Sequence, residues 1–238
     1  MIKKTQPIVD KVDGVDAVDW GSRLSANQGS TFVAGPQTLS DMDDPSSTEA
    51  ILRDLIRSRR SIKPRLFNGR RIEDGVVRGL IEDACWAPTH GLTQPWRFHV
   101  FSDAALERLA DFRQEWYRDH TPPEAFDPNK FDRLRENLIQ TSHAVLLCVH
   151  VDPEGPIPEI EEIEAVACAA QNLMLSAHAQ GIQCFWGSGA ETYTAEHHAF
   201  LGLGPSERCL GTLYLGYSDR RAPKSKRLPV EQRLVWHS

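Results

Sequence analysis

No C-x-x-C pair occurs in this chain, and its five cysteines (Cys85, Cys148, Cys168, Cys184 and Cys209) are scattered through apolar segments. That spacing argues against metal ligation or a disulfide framework. It reads the five as small buried hydrophobes in a reducing compartment. No apolar run approaches the length needed to span a bilayer. The basic start Met1-Ile2-Lys3-Lys4 is not followed by an apolar segment. No signal peptide is therefore expected, and the cytoplasm is the expected location. Positive charge is not in excess: 27 Lys and Arg against 33 Asp and Glu leave a net charge of −6. Broad nucleic-acid binding, which needs a basic face, is disfavoured. Also missing are a Ser-His-Asp set, a P-loop, a paired-carboxylate spacing and a metal cluster, so catalysis need not rest on a protein nucleophile.

What is present is a 238-residue chain with 40% hydrophobic and 25% charged residues, the composition of a globular protein. Residues 1–47 differ from the rest. Val-Asp recurs at Val9-Asp10, Val12-Asp13, Val15-Asp16 and Val18-Asp19, a period of three that fits neither helix nor strand. Gly, Ser, Asn and Asp then dominate, so 1–47 is expected to be a flexible extension and 48–238 the folded domain. Ser46 and Glu49 have the capping-box spacing for a first helix carrying Ile51, Leu52, Leu55 and Ile56 on one face. A second helix is expected from Asp74 to the approach of Pro88. A strand should cover Arg97–Phe101, and helices Ala104–Asp119 and Phe131–Gln140.

Ala144–Val151 is a continuous apolar run, as a strand buried on both faces would be. Glu159–Gln180 reads as a helix, acidic at first and apolar nearly all round from Ala165 to Ala177, capped by Gly181. A strand at Ile182–Trp186, a short helix at Ala195–Leu201 and a last strand at Cys209–Leu215 complete the pattern. Strands mixed with long helices give an α+β or α/β fold around one sheet.

Two stretches carry candidate chemistry. Arg59, Arg60 and Ser61 offer charge and hydrogen bonds suited to a phosphate; read alone, they fit a solvated basic helix end equally well. Pro88-Thr89-His90-Gly91 offers polar groups and exposed backbone N–H to a flat polar ring. The Pro-rich segments 121–128 and 152–158 are candidate pocket walls.

These stretches resemble the FMN-dependent nitroreductase family, its short bacterial NAD(P)H branch in particular. The resemblance runs from about Ile51 to the end. It rests on Arg59-Arg60-Ser61, Ala87-Pro88-Thr89-His90 with Gln94-Pro95-Trp96, Ala170-Gln171-Asn172-Leu173-Met174, Trp186-Gly187-Ser188-Gly189 and Leu213-Tyr214-Leu215-Gly216-Tyr217. It implies an α+β fold, three-layered α/β/α with a central mixed sheet. It also implies an entwined homodimer with FMN at the subunit interface, and NADH or NADPH as electron donor. A nitroaromatic, quinone or other electron-poor acceptor would be reduced by two electrons in a ping-pong cycle.

Residue by residue, the resemblance implies phosphate and ribityl contacts from Arg59, Arg60 and Ser61. It places Lys63 at the flavin pyrimidine edge, and contacts from Trp86, Pro88, Thr89 and His90, with His90 reaching over from the other subunit. Trp186, Gly187 and Ser188 would lie against the ring. Lys226 and Arg227 stand as a second phosphate cation or as a solvated tail. Two rival readings share the cofactor: a flavin carrier or sensor without turnover, and a flavin-fragmenting, benzimidazole-forming relative.

Overall fold

The computed structural model describes residues 47–238; the expected extension and its boundary lie outside them. Helix α1 (Thr48–Ser58) is capped by Ser47, whose Oγ accepts from the Ala50 N–H at 3.2 Å. The cap thus falls one residue after the expected Ser46. Glu49 then does not close a capping box but pairs with Arg53 one turn on. The apolar face of α1 is not covered: Ile51, Leu52 and Ile56 are each at least half exposed, and no residue of the helix is buried.

Helix α2 (Asp74–Ala84) buries Val77, Leu80 and Ala84. Strand β1 (Trp96–Ser102) follows, then α3 (Ala104–His120), α4 (Pro128–Ile139) and β2 (His143–His150). Helix α5 (Glu159–Ala179), β3 (Gln183–Gly187), α6 (Ala195–Leu201) and β4 (Glu207–Gly216) complete the domain. Gly181 ends α5 with φ of 73°, a left-handed conformation that glycine adopts without a Cβ penalty. The Gly181 and Ile182 N–H groups donate back to His178 and Ala177 carbonyls.

The sheet order is β1-β2-β4-β3, and every pair is antiparallel. The resemblance had implied a mixed sheet. Among the described residues the one parallel pairing is the isolated bridge Ser61–Cys184. The unbroken apolar character of β2 comes from helices on both faces. Val145, Leu147 and Val149 pack toward α2 and α5, while Ala144, Leu146 and Cys148 pack with Leu106, Leu109 and Leu201 from α3 and α6. An antiparallel strand covered this way needs no parallel neighbour to be apolar throughout. The result is three layers, helix–sheet–helix. Burying each large aliphatic side chain of β2 contributes about 1.5–3 kcal/mol.

Helix α5 is the spine of the first layer. Ala165, Val166, Ala169, Ala170, Leu173, Met174 and Ala177 are buried in it, whereas Cys168 on its far side is exposed. The chain after β4 crosses back over residues 66–68, where the Asn68 N–H donates to Tyr217 O and Ser218 Oγ donates to Leu66 O. Beyond that point Leu228, Val230, Leu234, Val235 and Trp236 stand exposed. Among the described residues no helix is long and apolar enough to cross a membrane.

Candidate functional site

The basic stretch sits where α1 ends. Ser58 Oγ lies 2.8 Å from His178 Nε2, which fixes the end of α1 on the last turn of α5. The chain then runs beside β3: Ser61 bridges Cys184, and the Ile62 N–H donates to Cys184 O at 3.0 Å. Arg59, Arg60 and Ser61 are thereby placed alongside the strand that ends in Trp186-Gly187-Ser188.

The two arginines have different surroundings. Arg60 Nη1 donates to the carbonyls of Arg57 (2.6 Å) and Arg59 (2.8 Å), and its Nε donates to Pro223 O at 3.1 Å. Its guanidinium therefore ties the C-terminal tail to the end of α1. Arg59 Nη1, by contrast, is buried and has no hydrogen-bond partner among the described residues. Its charge is felt locally. Burial chiefly, with help from Arg59, holds His178 below the ordinary imidazole range, and Cys184 is pushed up to about 12 by burial against the opposing pull of Arg59. A buried guanidinium donor with nothing to bond costs about 1–3 kcal/mol or more unless an anion meets it. The residues here fit a phosphate.

The loop after β3 is held from below by a buried ion pair that sequence spacing did not reveal. Arg113 of α3 sets its Nε 3.0 Å from Glu191 Oε1, and donates from Nη2 to Thr212 Oγ1 (2.6 Å) and from Nη1 to the Tyr214 hydroxyl (2.5 Å). The Glu191 carboxylate fills the space a side chain at Gly189 would need. The Gly189 N–H in turn donates to Thr192 Oγ1 at 2.9 Å. Gly187 and Ser188 thus present backbone on a braced turn. Trp186 is half-buried, and its Nε1 donates to Leu210 O at 3.4 Å.

The second stretch lies elsewhere. Gly91, Leu92 and Gln94 all have positive φ (59°, 56° and 48°), a tight, strained turn for the two residues that carry a Cβ. It is pinned to the first turns of α5: His90 Nδ1 lies 2.5 Å from Glu161 Oε2, and Thr93 Oγ1 donates to buried Glu162 at 2.7 Å. Thr89 Oγ1 pairs with Thr93 Oγ1 and accepts from the Gln94 N–H. Pro88, Thr89 and His90 line an open groove of about 530 Å³ with Glu161, Glu164, Ala165 and Cys168. Ile157 of the expected wall 152–158 reaches to 3.8 Å of where a Gly91 Cβ would stand. In the other expected wall, Phe126 packs between Tyr117 and Phe131.

The two stretches do not meet within one chain. One is anchored at His178 and the other at Glu161, 17 residues apart on a continuous helix. At a rise of 1.5 Å per residue that is about 25 Å. Lys63 and Trp86 are exposed, Trp86 at 87%. Lys226 and Arg227 lie on the exposed tail, with Arg227 Nη1 donating to Ser225 Oγ and to the Lys226 carbonyl.

Comparison with known proteins gives this arrangement a context. Residues 56–217 match the model of the "Nitroreductase family". YfhC of Bacillus subtilis, which carries a provisional NAD(P)H nitroreductase name, is 31% identical over 187 residues, covering 78% of this chain and 94% of its own. A nitroreductase-like family protein of Bacillus cereus superposes with a TM-score of 0.69 at 25% identity, covering 78% of this chain and 95% of that one. The FMN-dependent nitroreductase NfnB of Mycobacterium smegmatis, solved with NADPH, has a TM-score of 0.63 at 19% identity, covering 81% of this chain and all of that one. With the family model spanning the last turn of α1 to just past β4, and one relative aligned over nearly its whole length, the chain belongs to the nitroreductase family.

Proposed function

We propose that this protein is an FMN-dependent oxidoreductase. It oxidises NADH or NADPH and delivers two electrons to a nitroaromatic, quinone or similar electron-poor acceptor. The observation that carries this reading is Arg59 Nη1, buried and without a hydrogen-bond partner among the described residues, beside the start of β3. Arg59 would bind the FMN phosphate, with Ser61 donating a hydroxyl. Gly187 and Ser188, on the turn braced by Glu191, would offer backbone N–H groups to the ring edge. When bound, the flavin supplies hydride acceptance and hydride donation at N5.

The chain's own part is to hold, orient and shield. His90 is oriented through Nδ1 by Glu161, which leaves Nε2 to face outward. Since His90 and Arg59 are anchored about 25 Å apart along α5, they serve one ligand only across two copies of the chain. The uncovered apolar face of α1 and the exposed apolar residues of the tail support a homodimer with the flavin at its interface. Donor and acceptor would take turns at one open face, which gives ping-pong kinetics.

An absorbance spectrum of the purified protein before and after anaerobic NADH or NADPH tests the reading. A yellow protein bleached by either donor and recoloured by a nitroaromatic or quinone is expected. A yellow protein that neither donor bleaches is a carrier, and flavin breakdown products after reduction in air identify a fragmenting enzyme.

A further inference from the structure

Cys148 and Cys209 are far apart in sequence, yet the fold sets them face to face. Cys148 of β2 is the register partner of Cys209 of β4, at the point where the register shifts past Leu147. Directly opposed residues of an antiparallel pair point to the same face, with Cα atoms about 4.5–5.5 Å apart. A disulfide asks for about 4.4–6.8 Å, so this pair can be bridged without moving a strand. Both side chains belong to one buried cluster beneath α3 and α6, with Leu106, Leu146 and Leu203. Each thiol acts chiefly on the other, Cys209 pushing the Cys148 thiol up and Cys148 drawing Cys209 below the ordinary thiol range, while Cys209 Sγ donates to the Gly211 carbonyl at 3.7 Å. Burial opposes the shift of Cys209, while the Gly211 backbone and Arg113 favour it.

Access distinguishes the two. Cys148 is fully buried, whereas Cys209 lines a cavity of about 120 Å³ with Thr192, Thr194, His198 and Arg208. The third buried cysteine, Cys184, has no second thiol among its influences, and its thiol is pushed up to about 12 by burial.

We propose that Cys148 and Cys209 form a redox-active dithiol, in which a small hydroperoxide oxidises Cys209 and Cys148 closes a disulfide across the sheet. The Cys209 thiolate attacks one peroxide oxygen and the O–O bond breaks, leaving a sulfenic acid and a hydroxide. The Cys148 sulfur then attacks the Cys209 sulfur and the S–O bond breaks. The released oxygen leaves as water with the Cys148 proton. The two sulfurs lose two electrons, and hydrogen peroxide, having gained them, ends as two waters. A thiol such as dithiothreitol reverses the bond by exchange.

The test treats reduced, full-length protein with hydrogen peroxide, alkylates it under denaturing conditions and maps its peptides by mass spectrometry. A Cys148–Cys209 disulfide that dithiothreitol removes is expected. In Cys148→Ala, Cys209 should stop at a sulfenic acid that dimedone traps. Two freely alkylated thiols at 148 and 209 while exposed Cys85 or Cys168 oxidises would overturn the proposal. So would over-oxidation of Cys209 without pairing. Should the variant not fold, the wild-type peptide map decides alone.

Discussion

Ser61 stands beside Cys184 in a lone parallel bridge, with the next N–H, that of Ile62, bonded to the Cys184 carbonyl. That one contact carries the end of α1 onto the sheet, and its parallel register sets Arg59 beside the start of β3, with the chain running on toward the turn that follows the strand.

Arg59→Ala should then weaken FMN binding by about 1.5–3 kcal/mol, the range for a hydrogen bond to a charged group. In dissociation constant that is roughly ten- to a hundredfold. Flavin fluorescence titration measures it, and an unchanged affinity would remove Arg59 from the phosphate site.

Arg60→Ala should behave differently, because its guanidinium holds three carbonyls, one of them at Pro223 in the tail. The expected outcome is faster tryptic cleavage at Lys224, Lys226 and Arg227, with a smaller loss of FMN affinity than in Arg59→Ala. Equal losses in the two variants would instead make both arginines direct ligands.

Much of this architecture could be read from the residues themselves. The apolar run of β2, the all-round apolar half of α5 and the Gly181 stop each follow from local pattern, and helices lie on both faces as that pattern demands. Ser46 and Ser47 are adjacent serines, and spacing alone could not choose which would take the extended conformation of a cap. What stayed illegible are pairings between distant elements: Arg113 with Glu191, Cys148 with Cys209, His90 with Glu161. Periodicity says which face of an element is buried, but not which polar group lies opposite across the fold. The exposure of the α1 face is illegible for a related reason: its apolar spacing says that the face is apolar, not what lies opposite it.

Acid should destabilise the fold through its buried histidines. His197 packs beside the stacked pair Phe112 and Phe200, its Nε2 has no partner among the described residues, and burial holds it below the ordinary imidazole range. Burial does the same to His143. A histidine whose folded pKa is depressed contributes fully above its unfolded value of about 6.5, and that contribution is lost as pH falls below it. Urea midpoints should fall between pH 7.5 and 5.5, and less steeply in His197→Gln. A slope unchanged by the substitution would discharge His197 from the effect.

Residues 1–45 precede the Ser47 cap, and the family match begins at residue 56. Deleting them should leave FMN content and oligomeric state, read from the elution volume, unchanged. A truncated protein that is monomeric or colourless would show that the segment contributes to the site.

Arg59 and His90 anchored at opposite ends of α5 lead to the most discriminating experiment. If each flavin takes Arg59 and Ser61 from one chain and His90 from the other, neither chain owns a whole site. Arg59→Glu and His90→Asp homodimers should each lose FMN, the first by placing a carboxylate against the phosphate, the second by setting an acid against Glu161. Mixed by refolding, the two form a heterodimer in which one site collects both lesions and the other collects none. An isologous dimer repeats every contact twice with the chains exchanged, so up to about half of wild-type activity should return in that species. FMN retention and NAD(P)H-dependent reduction of a nitroaromatic are measured after mixing, with each variant refolded alone as control. Recovery no greater than in the controls, with the heterodimer verified by native mass spectrometry, would place all flavin contacts within a single chain. The 25 Å along α5 would then have to be closed by a rearrangement within that chain.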